Sequence, residues 1–208
     1  EQRKTLIHWV EAGAQRGDGP DLLKTAVKPL GEWPDALGEP DVVVELPPYE
    51  VPATGVIDYQ YPTVDNPFKG DAWLKAMVVV PGDRSVVHHV TSGHVSSRDS
   101  LSELPGGSVG SYTPGAEPQV IADGAGAPVP EGGKLRYSMH YTTTGKAATD
   151  VTKIGYYLHK EKPKYVKRSA VIGDFALEIP AGEARHEEIA YLEFPADAYL
   201  YTLYPHSH

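Results

Sequence analysis

Glycine and proline punctuate this chain at short intervals, 21 and 19 of them in 208 residues, and never as one tract. Runs that short suit strands and turns, because proline removes a backbone donor and glycine supplies the positive φ that tight turns need. From 53 to 163 the texture is accordingly all-β. Strands are predicted over 55–61, 72–80, 85–94, 134–142 and 153–159. Turn signals separate them at Pro81-Gly82-Asp83, Pro105-Gly106-Gly107, Pro114-Gly115 and Pro130-Glu131-Gly132-Gly133. The stretch 96–130 is rich in Gly, Pro and Ser, weakly periodic, and reads as a surface excursion with little regular structure.

The flanks read differently. Leu6, Trp9, Val10 and Ala14 fall at helical spacing within 3–14, with Gly17 and Gly19 as a stop, so 1–18 is predicted as a helix. Residues 19–52 carry seven prolines, from Pro20 to Pro52, and one strand-like piece at 41–46. They read as a wrapping linker pinned by Trp33 and the valines at 42–44. After Pro163 a second β pattern starts over 164–208, with strands expected at 169–179, 187–194 and 199–208. Three strands do not make an independent sandwich. This is therefore expected to open a second domain, in a chain that looks like part of something longer.

Composition removes several function classes. A formal charge of -9 with no long basic run argues against a nucleic-acid surface. The absence of cysteine excludes disulfides, thiolate metal sites and thiol catalysis within these residues. No Gly-x-Ser-x-Gly, Walker loop, dinucleotide fingerprint or His-Glu-x-x-His helix is present, and no acidic pair stands out as an acid/base couple.

What remains is histidine. His88 and His89 are adjacent in an apolar run. In a regular strand their rings point to opposite faces, one into the core and one into solvent; both can reach one ion only at a bulge or a strand end. His94 lies an even number of residues from His88 and so could share its face. His140 belongs with Arg136 and Ser138 on the polar face of its strand, opposite Tyr137, Met139 and Tyr141. His206 and His208 have the i, i+2 spacing that places two strand imidazoles side by side. Imidazoles without thiolate or carboxylate suit Cu, Zn or Ni. Such ligands must be neutral, so an ion should be released as pH falls through about 6.5. His8, His159 and His186 have no partner histidine and receive no role.

In order along the chain, Val86-Val87-His88-His89-Val90, His140-Tyr141, Ile179-Pro180-Ala181-Gly182-Glu183 and Pro205-His206-Ser207-His208 resemble the copper type II, ascorbate-dependent monooxygenases. These are the peptidylglycine alpha-hydroxylating and dopamine beta-monooxygenase family, and the bacterial form that follows a c-type cytochrome domain is the most similar. His140-Tyr141-Thr142 with the later Gly145-Lys146 is a further shared feature, and residues 7–18 look like the last helix of such a cytochrome domain.

The resemblance covers about 40–208. It implies two consecutive jelly-roll-like β-sandwiches: a complete first domain over 53–163 and the opening strands of a second. His88, His89 and His140 would hold a first copper that stores and passes an electron. His206 and His208 would supply two ligands of a second copper, where O2 and an organic C–H bond react. The implied partners are a small organic substrate and an electron donor, either an ascorbate-like reductant or a c-type cytochrome whose haem sits upstream. The implied location is periplasmic or extracellular. The alternatives are a non-catalytic β-sandwich scaffold in a redox assembly, and a copper-binding electron-transfer module. The animal members of the family are disulfide-rich, whereas this chain has no cysteine.

Overall fold

The alternation of 134–142 is realised residue for residue. Leu135, Tyr137, Met139 and Tyr141 are buried, while Arg136, Ser138 and His140 are only partly covered. In a pleated strand successive side chains must take opposite faces, so this one pattern orients the whole sheet around it. The structure, a computed structural model, describes residues 1–19, 33–95, 108–170, 172–174 and 176–203.

The chain divides into two compact units, Glu1–Pro40 and Asp41–His208. In the first, α1 spans Gln2–Glu11. It ends earlier than Gly17 would place it, because Gly13 turns the backbone to φ 90° and the amides of Ala12 and Ala14 close on the His8 and Trp9 carbonyls.

The second unit is an all-β sandwich-like fold. One sheet runs β1 (Val42–Glu45), β11 (Lys153–Leu158), β4 (Ala72–Val80), β8 (Ala125–Val129) and β12 (Tyr165–Val166), with β7 (Gln119–Val120) also pairing β4. The other runs β3 (Thr63–Asp65), β9 (Lys134–Tyr141), β5 (Val87–Val95) and β6 (Ser108–Tyr112). A short pair joins β10 (Ala148–Asp150) to β2 (Tyr49–Val51). Apolar residues from both larger sheets form one core: Val44, Leu74, Met77, Val79 and Ile154 meet Val87, Val90, Leu135 and Met139.

Three differences from the sequence pattern have physical causes. The proline-punctuated 19–52 contains a second strand, β2, which pairs with β10, beside the expected strand-like piece at 41–46, which is β1: Val42 to Glu45 pair with β11 and Asp41 Oδ2 accepts the Leu158 amide at 2.7 Å. The stretch 96–130 contains β6, β7 and β8 rather than a structureless excursion. Strand β8 reads Ala-Gly-Ala-Pro-Val, without the bulky residues that announce a strand. It needs small ones: a Cβ on Gly126 would fall 2.8 Å from Pro163 Cγ and 3.2 Å from the Leu74 carbonyl. Finally, the described residues of 167–203 form no strand, and Tyr191, Tyr199 and Leu203 stay exposed. Among the described residues after Pro163 only β12 pairs, parallel to β8 of the first sheet. Alternation offers a face, but ladder hydrogen bonds must come from a neighbouring strand.

Two tyrosines link the sheets through the core. Tyr137 and Tyr156 are both fully buried and their hydroxyls meet at 2.7 Å, with Ser92 Oγ 3.4 Å from Tyr156 Oη. Burial pushes the Tyr156 phenol up to about 12, against the lowering effect of its hydrogen bonds with Ser92 and Tyr137. Burial also raises Tyr137, helped by its Tyr156 neighbour, and raises Tyr141, helped by Asp150. A folded pKa above the unfolded value of about 10 means stability that is intact below pH 10 and lost as pH climbs toward 12. Thermal midpoints should therefore be flat through the mildly alkaline range and fall above about pH 10. In Tyr156→Phe that alkaline fall should be shallower; an unchanged slope would remove the Tyr156 phenol as a source.

Candidate metal centre

The centre begins at the turn that starts β5. Gly82 is forced by crowding, since a Cβ there would lie 2.5 Å from the Val151 amide nitrogen. Asp83 then closes the turn on itself: its Oδ1 accepts the Ser85 amide at 2.8 Å and the Ser85 hydroxyl at 2.6 Å. Those bonds hold its carboxyl below the usual carboxylate range. From behind, the buried Asp150 carboxylate accepts the Asp83 amide at 3.0 Å, the Tyr141 hydroxyl at 3.0 Å and the Thr152 hydroxyl at 2.7 Å. One side chain thus ties the entry to β5 to the end of β9.

Between Val87 and His89 the ladder slips. Val87 pairs with Tyr141 and His89 with His140, so His88 is an extra residue opposite no partner. This is the bulge that the His88-His89 pair demands if both rings are to share an ion. Val87 and Val90 drop into the core on either side of it, with exposures of 1% and 0%. The two histidines between them are left together on the outer face, His88 exposed and His89 partly covered.

The three rings converge. Nδ1 of His88 and Nδ1 of His89 are 3.0 Å apart, close enough for one to donate to the other. The His140 ring centroid is 4.9 Å from that of His88 and 4.7 Å from that of His89, at 73° and 68° to them. One ligand nitrogen from each ring can be chosen so that all lie within 4.8 Å of one another. Bonds of about 2.0 Å in a tetrahedral array would separate such nitrogens by about 3.3 Å. Ring rotations can close that gap, because the backbone already presents the rings to a common point. The donor set, three imidazoles on one sheet face, fits a borderline metal of the Cu, Zn or Ni kind.

Tyr59 completes the constellation, and its part is not visible in the sequence. Gln60 exchanges backbone hydrogen bonds with Met139 at 3.0 and 2.8 Å, which lays 59–61 along the outer side of β9. The Tyr59 ring then stacks on His140 at 4.7 Å and 18°, and its hydroxyl reaches His89 Nε2 at 3.1 Å. The sequence shows only a tyrosine in a run predicted as strand 55–61, where the structure forms no strand, only a single bridge at Gln60. Its place depends on a pairing eighty residues away in the chain, roughly, that no local pattern encodes. Beside His140 opens a cleft of about 220 Å³ lined by Gly55, Val56, Ile57, Tyr141, Thr142 and Thr143.

Three other described histidines of this unit bond elsewhere. His94 does not join His88: the bulge reverses their relation, and His94 turns inward, 7% exposed, with Nε2 2.8 Å from the Gly132 carbonyl. His159 Nε2 lies 2.9 Å from the Ala125 carbonyl, and His186 pairs with Glu188 at 2.7 Å. His206 and His208 lie outside the described residues. No helix among the described residues is long and apolar enough to cross a membrane. No protein-family model, curated protein or solved structure matches the chain, and the three-imidazole centre stands on its own geometry.

Proposed function

We propose that the chain carries a copper centre at His88, His89 and His140 and serves as the electron-storing part of a copper-dependent, monooxygenase-like system. The observation that supports this reading is the bulge at His88, which spends one ladder position to bring two adjacent imidazoles against a third. Scattered solvent-facing histidines would not converge as these three rings do. Copper held by imidazole supplies one-electron chemistry when bound.

The protein's own part is to bind and to orient. Val87 and Val90 anchor the bulge, Asp150 fixes the strand ends behind it, and His88 keeps the centre open to solvent on one side. Openness on that side favours exchange of electrons with an external donor. His206 and His208 are the proposed pair for a second copper, where O2 and an organic substrate would meet.

The test is metal reconstitution of the purified protein, followed by oxygen uptake with a small reductant. Retained copper with reductant-dependent oxygen consumption is the expected result. Copper without oxygen consumption would leave the electron-transfer module and remove the monooxygenase. A preparation that takes up no copper removes both.

A further inference from the structure

We propose that Tyr59 is a positioning residue of the three-histidine centre, fixing His89 in the tautomer that leaves Nδ1 as its ligand atom while its ring clamps His140. The proposal rests on the metal-binding reading of that centre. An imidazole ligates through the nitrogen that lacks a hydrogen, so the hydrogen must sit on the other one. His89 offers its two nitrogens to different neighbours. Nδ1 faces His88 Nδ1 at 3.0 Å, inside the centre, and Nε2 faces the Tyr59 hydroxyl at 3.1 Å, outside it. With Nε2–H donating to the phenol oxygen, the Nδ1 lone pair is left pointing at the place where the three rings converge.

The second contact acts on a different ligand. The Tyr59 ring lies nearly parallel to His140 at 4.7 Å and 18°, and tilted to His89 at 5.6 Å and 52°. One side chain therefore restrains two rings supplied by two strands. It is itself well held. The Gln60 backbone pairs with Met139, and the next carbonyl but one, that of Pro62, accepts the Tyr137 amide at 3.0 Å. Beyond it Tyr61 stacks on Tyr59 at 6.3 Å and 19°, and the Arg136 guanidinium sits 4.5 Å above the Tyr61 ring. A tyrosine that merely covered surface would need neither the hydrogen bond nor this row behind it. Outer partners of metal-bound histidines fix tautomer and orientation, and losing one typically weakens the metal about 10–100-fold.

Two variants separate the two contacts: Tyr59→Phe keeps the ring and loses the hydroxyl, and Tyr59→Leu loses both. Each is made in the full chain with His206→Ala and His208→Ala, so that one centre is read. Copper(II) alone is the probe, measured by competition with a chromophoric chelator and by electron paramagnetic resonance. Tyr59→Phe should bind about tenfold more weakly, with a shifted copper hyperfine splitting, and Tyr59→Leu about 100-fold more weakly. The metal-free melting midpoint of Tyr59→Phe should match that of its parent, which distinguishes positioning from loss of fold. Parental affinity and an unchanged spectrum in Tyr59→Phe would overturn the proposal while the copper centre stands. No copper binding by the parent would instead overturn the centre itself.

Discussion

Replacing His140 by alanine should empty the three-histidine centre of copper and leave the sandwich folded. His140 sits on the outer face of β9, opposite His89 and across from the bulge, with Met139 and Tyr141 holding the strand from the core side. Removing its ring takes away one of the three imidazoles of the centre and the surface on which Tyr59 stacks. The affinity loss should exceed about 100-fold, the upper end of what the loss of an outer partner costs. The fold should lose no more than about 1 kcal/mol, as at most positions away from the core. A chelator competition beside a thermal melt measures both quantities.

His94→Ala is the matching control. That ring is buried against the Gly132 carbonyl, so its loss should destabilise by about 1–3 kcal/mol while copper binding persists. If His94→Ala removed copper and His140→Ala did not, the assignment of the ligand face would be reversed.

The largest effect on stability is expected at Asp150. Its carboxylate is 1% exposed and accepts from the Asp83 amide and from the hydroxyls of Tyr141 and Thr152. Asp150→Ala leaves those donors facing a cavity, and a loss of about 3–5 kcal/mol is expected. For a chain of this size that lowers the melting midpoint by roughly 6–20 °C. Asp150→Asn keeps the volume but turns amide hydrogens toward donors, so it should fall between Asp150→Ala and the unaltered protein. A midpoint shift of Asp150→Ala within a degree or two would show that water replaces the carboxylate, and that the tie between β5 and β9 is not needed for folding.

Much of the sandwich was legible because its central strands alternate or run continuously apolar. The predicted 72–80 coincides with β4, and 134–142 and 153–159 differ from β9 and β11 by a residue at one end. The pattern of β9 also placed His140 on the outer face before any partner was known. Legibility failed where shape replaced side chains. Strand β8 consists of residues small enough to lie under Pro163 and beside Leu74, and smallness carries no period. It failed again over 167–203, where alternating residues form no ladder among the described ones.

For the centre itself, the histidines advertised the chemistry but not the geometry. His88 and His89 require an irregularity, yet no glycine or proline marks the bulge; the register on β9 imposes it, since Val87 must face the core at Tyr141 and Val90 at Met139. Two buried valines separated by two residues cannot both point inward along a regular strand. Tyr59 was invisible for a similar reason, because only the pairing of Gln60 with Met139 brings it to the rings.

That bulge has a genetic consequence. The strand holds one residue more than its ladder can pair, and the surplus residue is itself one of the three imidazoles that could hold an ion. Losing a single codon at this point would let Val87 and His89 follow one another in a regular ladder and would leave the core valines where they are. The sandwich would survive and the centre would vanish. Inserting one codon into a plain ancestor would do the reverse. In such a scaffold a metal site can come and go in one in-frame step, and descendants with and without it would share the same fold.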